Sequence, residues 1–181
     1  VSHVNGFRDY QRRDAWTWEH QALIRARAIS GDPVLKQFFD TLRTEILTQP
    51  RDHRRLRKEV ADMRARMRGA AEKPTAAGFD LKQGRGGIVD IEFLVQYLVL
   101  RHAHQHPEIV RWTDNVRLLQ ALNGAGILDE TTAFDLRRAY LLLRAAVHRL
   151  NLQGLSTQID DDRFESIRSL VGRCWRFYLG K

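Results

Sequence analysis

Residues Phe79–Arg101 read FDLKQGRGGIVDIEFLVQYLVLR, and the fold follows from how this stretch divides. It opens with a basic, glycine-rich segment, Lys82-Gln83-Gly84-Arg85-Gly86-Gly87. It then enters a run from Ile88 to Leu100 whose polar side chains are Asp90, Glu92, Gln96 and the hydroxyl of Tyr97. A helix that is apolar nearly all round is a buried one, so this run is expected to form the central helix of the domain. The glycines before it allow unusual backbone dihedrals and close approach of other groups. Each strong polar group inside such a helix needs a partner, because leaving it buried and unpaired costs roughly 1–3 kcal/mol.

Working outward, the pattern on both sides is helical. The spacing predicts a helix over 7–30, with Ala15, Trp18, Ala22 and Ile29 on one face and Trp16, His20, Leu23 and Arg27 on another. Gly31 stops it, and Asp32-Pro33 supplies an N-cap and a first-turn proline for a second helix reaching about Thr48. A third helix, 52–68, carries a narrow stripe of Leu56, Val60, Met63 and Met67. Its other faces hold Arg54, Arg55, Arg57, Lys58, Arg64, Arg66 and Arg68, which reads as a solvated surface helix. Residues 69–78 read as a loop. The central helix is expected to run to His106-Pro107, and Thr113-Asp114 caps a shorter helix ended by Gly124 and Gly126. Another helix follows over 129–153, then a turn over 154–159, and Asp160 or Asp161 caps a last helix through Tyr178. No β-alternation stands out. The reading is an all-α bundle of about seven helices around a buried central one, with 1–6 a connector and 7–181 a single helical domain.

The totals narrow the function. The chain of 181 residues can bury a sizeable core, and 43% hydrophobic with 29% charged residues is ordinary for a soluble globular protein. The single cysteine, Cys174, excludes an internal disulfide framework and a cysteine-based zinc site, and a cytoplasmic location is expected. No stretch is long and apolar enough to cross a membrane as a helix, and residues 1–13 lack the apolar core of a signal peptide. The absence of an initiating Met points to an excised fragment. A net charge of +8 suits an acidic partner without naming it.

The candidate chemistry is modest. The segment 82–87 lacks P-loop spacing, but its two cations, flexible amides and helix N-terminus make a candidate anion site; a tight loop whose glycines merely fit the packing is the plain alternative. Asp90 and Glu92 lie two apart on a helix and so point about 200° apart, which is poor geometry for holding one metal ion. Ion pairs to a neighbouring helix, through Arg25 or Arg27, or a first-turn role for Asp90 in fixing the loop, account for them more simply. No histidine or cysteine pattern indicates a metal. The basic helix 52–68 raises nucleic-acid binding as an alternative, against which stand its lack of aromatic residues and the carboxylates Glu59 and Asp62 on its face. A metal-independent enzyme with Asp90 or Glu92 as base is a third possibility.

The runs DLKQGRGGIVDIEFLVQYLVLRHA and RWTDNVRLLQAL, together with the opening DYQRRDAWTWEHQALIRARAISGDP, closely resemble the helical C-terminal part of glutamine synthetase adenylyltransferase. That bifunctional family adds adenylyl groups to glutamine synthetase and removes them, and the resemblance extends over essentially the whole chain. In the family, nucleotidyl transfer belongs to a G-S-x-x-D-x-D motif on a β-sheet domain, where carboxylates hold magnesium for ATP. That motif is absent here. The resemblance therefore implies a helical domain without catalytic residues of its own, downstream of a nucleotidyltransferase domain that uses ATP and Mg2+, with no cofactor in this fragment. It implies glutamine synthetase and the PII signal protein as partners of the whole enzyme, with nucleic acid and membrane disfavoured. Lys82, Arg85, Gly86 and Gly87 are expected to face the neighbouring catalytic domain, near the nucleotide or the glutamine synthetase loop, with Asp90 and Glu92 in the same nucleotide-proximal or interdomain group, and Trp16, Trp18, Glu19 and His20 in interdomain packing.

Overall fold

A computed structural model describes residues 3–71, 78–160 and 162–180, with the side chain of Ala71 left aside. Among them are eight helices: α1 (Val4–Arg13), α2 (Thr17–Arg25), α3 (Pro33–Leu47), α4 (His53–Ala71), α5 (Ile88–His102), α6 (Asn115–Gly124), α7 (Glu130–Leu152) and α8 (Glu165–Leu179). The all-α bundle expected from the sequence is the fold. Its central helix is α5, which packs against α2, α4, α6, α7 and α8. From Ile88 to Leu100, every residue of α5 except Glu92 is buried. The all-round apolar pattern of this segment thus produces a core that surrounds it: Ile24, Ile46, Leu47, Val60, Leu118, Leu119, Leu122, Leu136, Leu143 and Val171 are all inaccessible to solvent.

Several caps form as their sequences require. Asp32 Oδ1 accepts from Val34 and Leu35 N–H at 2.8 and 3.3 Å, with Pro33 in the first turn. Asp114 accepts from the Arg117 amide and Asp129 from the Thr132 amide, satisfying N–H groups that a helix start leaves orphaned.

The structure corrects other expectations. The segment 7–30 is not one helix. Residues Val4–Gly6, expected in a connector, already belong to α1, which starts at the His3 cap, and the chain breaks at Asp14–Trp16. The break has a local cause: Glu19 folds back so that its Oε2 accepts from the Trp16 amide at 2.8 Å, fixing Trp16 in extended backbone and starting α2 afresh. At its other end α2 stops at Arg25 rather than Ser30, because Arg43 of α3 claims the carbonyls of Leu23 and Ile24 at 3.0 and 2.6 Å. Helix α5 ends at His102, and a 3-10 turn over Pro107–Arg111 precedes α6. Two short strands also form, β1 (Phe79–Asp80) and β2 (Gln158–Ile159), antiparallel with Phe79 opposite Ile159. At two residues each they are too short to leave an alternating pattern in the sequence. They tie the entrance of the glycine-rich loop to the segment before α8. That segment contains a 3-10 turn over Asp162–Phe164, so α8 starts at Glu165, later than a cap at Asp160 would place it; Asp161 lies outside the described residues. Helix α4 continues to Ala71, three residues into the segment expected as a loop from Gly69. Most of that segment, 72–77, also lies outside the described residues.

Candidate functional site

The glycine-rich loop is built by two carboxylates of the protein itself. Asp80, at the end of β1, turns its Oδ1 back to accept from the amides of Lys82 and Gln83 at 2.7 and 2.9 Å, an Asx-type turn, while Thr157 Oγ1 donates to the same oxygen at 3.3 Å. Asp90, in the first turn of α5, reaches forward so that its Oδ2 accepts from the Gly86 amide at 2.8 Å. Backbone bonds take up much of the remainder: Gly84 N–H to Asp80, Gly87 to Gly84, Ile88 to Leu81 and Val89 to Lys82. Gly86 holds φ at +83°, in the left-handed region.

Behind the loop, Asp90 is the hub of a buried ion-pair cluster. Its Oδ1 accepts from Arg64 Nε at 2.6 Å and from Arg68 Nη2 at 2.9 Å. Arg64 is completely buried, and its remaining nitrogens donate to the Gln83 carbonyl at 2.6 Å and to the Gln83 side chain at 3.4 Å. Its guanidinium also lies 6.0 Å from the centre of the Phe93 ring. One arginine therefore joins α4, the loop and α5. This corrects the reading of α4: its inner stripe is Leu56, Val60 and Arg64, at steps of four, whereas Met67 stays exposed. It also assigns Asp90 to Arg64 and Arg68 in place of Arg25 or Arg27.

Glu92 does pair with Arg25, at 2.7 Å. The same Oε1 accepts from the Tyr140 hydroxyl at 3.2 Å and from the Asn115 amide nitrogen at 3.4 Å, so this carboxylate gathers α2, α6 and α7 onto α5. Asp90 and Glu92 have separate partners on different sides of α5, as the helical angle between them requires. Both are committed to guanidinium groups, and neither is placed as a solvent-facing base. Lys82 and Arg85 are exposed on the outer side of the fastened loop. The amides of Lys82, Gln83, Gly84, Gly86 and Gly87 are thus engaged from within, and an anion approaching the loop meets these two side chains.

A second cluster lies at the α1–α2 break. Trp16 and Trp18 are 63% and 45% exposed, a large apolar area to leave in water. They border a depression of about 460 Å³ whose walls include Arg13, Arg55, Met63 and Arg66. Glu19 and His20 do not face outward with them. Glu19 accepts from the Tyr10 hydroxyl at 2.7 Å as well as from the Trp16 amide. His20 is buried, with one ring nitrogen 3.1 Å from the Gln11 carbonyl and the other 3.1 Å from Arg51. Burial and the Arg51 charge hold its pKa below the ordinary histidine value. Glu19 thus fixes the backbone of Trp16, while His20 ties α2 to α1 and to Arg51.

The basic face of α4 is partly spoken for: Arg55 pairs with Glu59 at 2.7 Å, Lys58 with Asp62 at 2.8 Å, and Arg64 and Arg68 with Asp90. This reduces the free charge on which a nucleic-acid reading would depend. Among the described residues no group of three or more His, Cys, Asp or Glu side chains converges to hold a metal ion. No helix among them is long and apolar enough to cross a membrane.

Sequence reasoning missed Arg43, Arg64 and Arg68 as structural centres. The available signal was weak: Arg64 and Arg68 continue the four-residue step of Leu56 and Val60. Two family models match successive, non-overlapping parts of the chain. The one described as glutamate-ammonia ligase adenylyltransferase matches residues 1–42. The one described as GlnD PII-uridylyltransferase matches residues 54–162, which include α5 and the whole fastened loop.

Proposed function

We propose, for a chain that belongs to the GlnD PII-uridylyltransferase family and opens with a stretch of the glutamate-ammonia ligase adenylyltransferase kind, a supporting role in nucleotidyl transfer: it is the helical partner of an adjoining nucleotidyltransferase domain. The families matched are nucleotidyltransferases of nitrogen regulation, and the chain is a helical domain of that kind. In this reading the parent enzyme modifies glutamine synthetase and responds to the PII protein, and this domain contributes docking and interdomain coupling.

The observation that carries the reading is the fastened loop. A segment locked from behind by Asp80, Asp90 and Arg64 leaves Lys82 and Arg85 exposed on a rigid support. Nucleotidyl and phosphoryl transfer depend chiefly on positioning and on neutralising developing negative charge, and preorganised cations supply both. The exposed pair Trp16 and Trp18 fits the same role as an apolar contact for the adjoining domain. The residues here do not fit magnesium, since Asp90 and Glu92 are held by arginines; metal and ATP belong to the adjoining domain in this proposal.

The test is the double variant Lys82→Ala/Arg85→Ala in the full-length enzyme that carries this domain. Adenylylation of glutamine synthetase is expected to fall by about tenfold, well below the loss seen on removing a group that touches the reacting atoms. Thermal unfolding should be unchanged, because both side chains are exposed. An unchanged rate contradicts the proposal.

A further inference from the structure

Helix α8 carries a face on which Glu165, Arg168, Ser169, Gly172, Arg173 and Arg176 fall at helical spacing. With Arg85 from the glycine-rich loop they line an open depression of about 400 Å³. Four guanidiniums thus meet one carboxylate, and Glu165 lies within ion-pair distance of none of them in the described structure. We propose that this depression is a binding site for a phosphate-bearing small anion, of the pyrophosphate or polyphosphate class.

Three observations carry it. First, Arg85, Arg173 and Arg176 have no ion-pair or hydrogen-bond partner among the described residues, whereas the buried and half-buried arginines of α4 and α2 do. Second, Arg168 is held from beneath. Its guanidinium lies 3.9 Å above the centre of the Phe79 ring, and its Nε is buried with no hydrogen-bond partner. Third, Gly172 sits mid-helix, where glycine costs about 1 kcal/mol relative to alanine. Packing does not require it: an added Cβ would meet only Arg176 Nη1, at 3.6 Å, an ordinary contact. The absent side chain keeps the floor of the depression open between the guanidiniums.

The arrangement is also fixed in place. At Gly86 an added Cβ would come within 2.6 Å of the Arg168 carbonyl oxygen, so the loop and α8 touch backbone to backbone. That contact brings Arg85 of the loop to the arginines of α8. Guanidinium forks match phosphate oxygens in pairs, which favours a phosphate over a single-point anion. The site goes beyond the role proposed above and shares only Arg85 with it. Its test is a binding measurement on this chain, so it can fail while the rate test on the full-length enzyme succeeds.

The experiment is calorimetric titration of the 181-residue chain with pyrophosphate at low ionic strength, beside citrate at the same ionic strength. The expected result is saturable binding at one site, at least tenfold weaker for Arg173→Gln/Arg176→Gln with the helical circular dichroism unchanged, and weaker for citrate than for pyrophosphate. Gly172→Ala provides a second readout: helix propensity alone would only stabilise the protein, whereas a filled floor weakens pyrophosphate severalfold. Absence of saturable binding, equal affinity in the double variant, or citrate binding as tightly as pyrophosphate overturns the proposal.

Discussion

Replacing Asp90 with alanine is expected to lower the unfolding free energy by about 3–5 kcal/mol, the cost of breaking a buried ion pair from one side. The substitution leaves Arg64, which has no access to solvent, with its charge uncompensated, and removes one partner of Arg68. It also deprives the Gly86 amide of its acceptor. Asp90→Asn does not escape the problem. One of its two terminal atoms becomes a donor, and it must face either the Gly86 N–H or a guanidinium N–H, both donors themselves. Urea unfolding followed by circular dichroism measures the loss, and for a domain of this size the melting temperature should drop by about 10 °C. The pair can be isolated with a double-mutant cycle. Arg64→Met/Asp90→Leu should be less damaging than the sum of the single changes, by about 1–3 kcal/mol, since both charges leave together. Simple additivity would contradict the placement of these two groups.

The second large effect is expected at Arg43. Its guanidinium is buried and donates to backbone carbonyls rather than to a carboxylate: Leu23 at 3.0 Å, Ile24 at 2.6 Å and Val110 at 2.6 Å, with Trp112 at 3.4 Å. These are the last carbonyls of α2 and those of the 3-10 turn before α6. The side chain therefore does for the end of α2 what a glycine cap does for other helices, and fastens the turn at the same time. Arg43→Met keeps most of the aliphatic stem and removes every one of these donors. The loss should be about 3 kcal/mol or more, since each buried acceptor left without a donor costs roughly 1–3 kcal/mol. Lysine should rescue little, because its ammonium cannot span carbonyls from two elements as a planar fork does. A variant within 0.5 kcal/mol of the parent, the range of an ordinary surface substitution, would contradict this role.

How far the sequence carries the argument differs between these residues. The run from Ile88 to Leu100 announces its own burial, because apolar side chains at every helical angle have nowhere else to go. The caps at Asp32, Asp114 and Asp129 are equally local: the acceptor and the amides it serves lie within three residues. The pairing of Glu92 with Arg25 also follows from the need to satisfy a carboxylate on a buried helix. By contrast, little local distinguishes Arg64 from Arg66 beyond the four-residue step from Leu56 and Val60. One is buried and the other lines an exposed depression, and the difference is made by Asp90, 26 positions away. Arg43 is a similar case, since its acceptors lie 19 to 69 positions away on other elements. In a helix crowded with cations, charge alone predicts solvation, and it fails where a remote carboxylate or a row of orphan carbonyls awaits. The division of the segment 7–30 at Trp16 was locally encoded in the Trp16–Glu19 spacing, but the capping signal there lacks the serine or threonine that normally marks it.

The glycine-rich loop shows why residue type fixes a site less firmly than it fixes a fold. Basic residues, glycines and a helix start describe both an anion cradle and a loop closed by the protein's own carboxylates. Asp80 and Asp90 engage the amides of Lys82, Gln83 and Gly86, and the side chains of Lys82 and Arg85 are left exposed. At the α1–α2 break, likewise, the backbone of Trp16 is held by Glu19 of its own helix.

The docking role can be tested most directly at Trp16 and Trp18 by oxidative footprinting with mass spectrometry, comparing this chain alone with the full-length enzyme that carries it. The account expects both tryptophans to react readily in the isolated chain and markedly more slowly in the full-length enzyme, where the adjoining domain covers them. Equal reactivity in the two proteins would leave this surface without its partner and contradict the interdomain role.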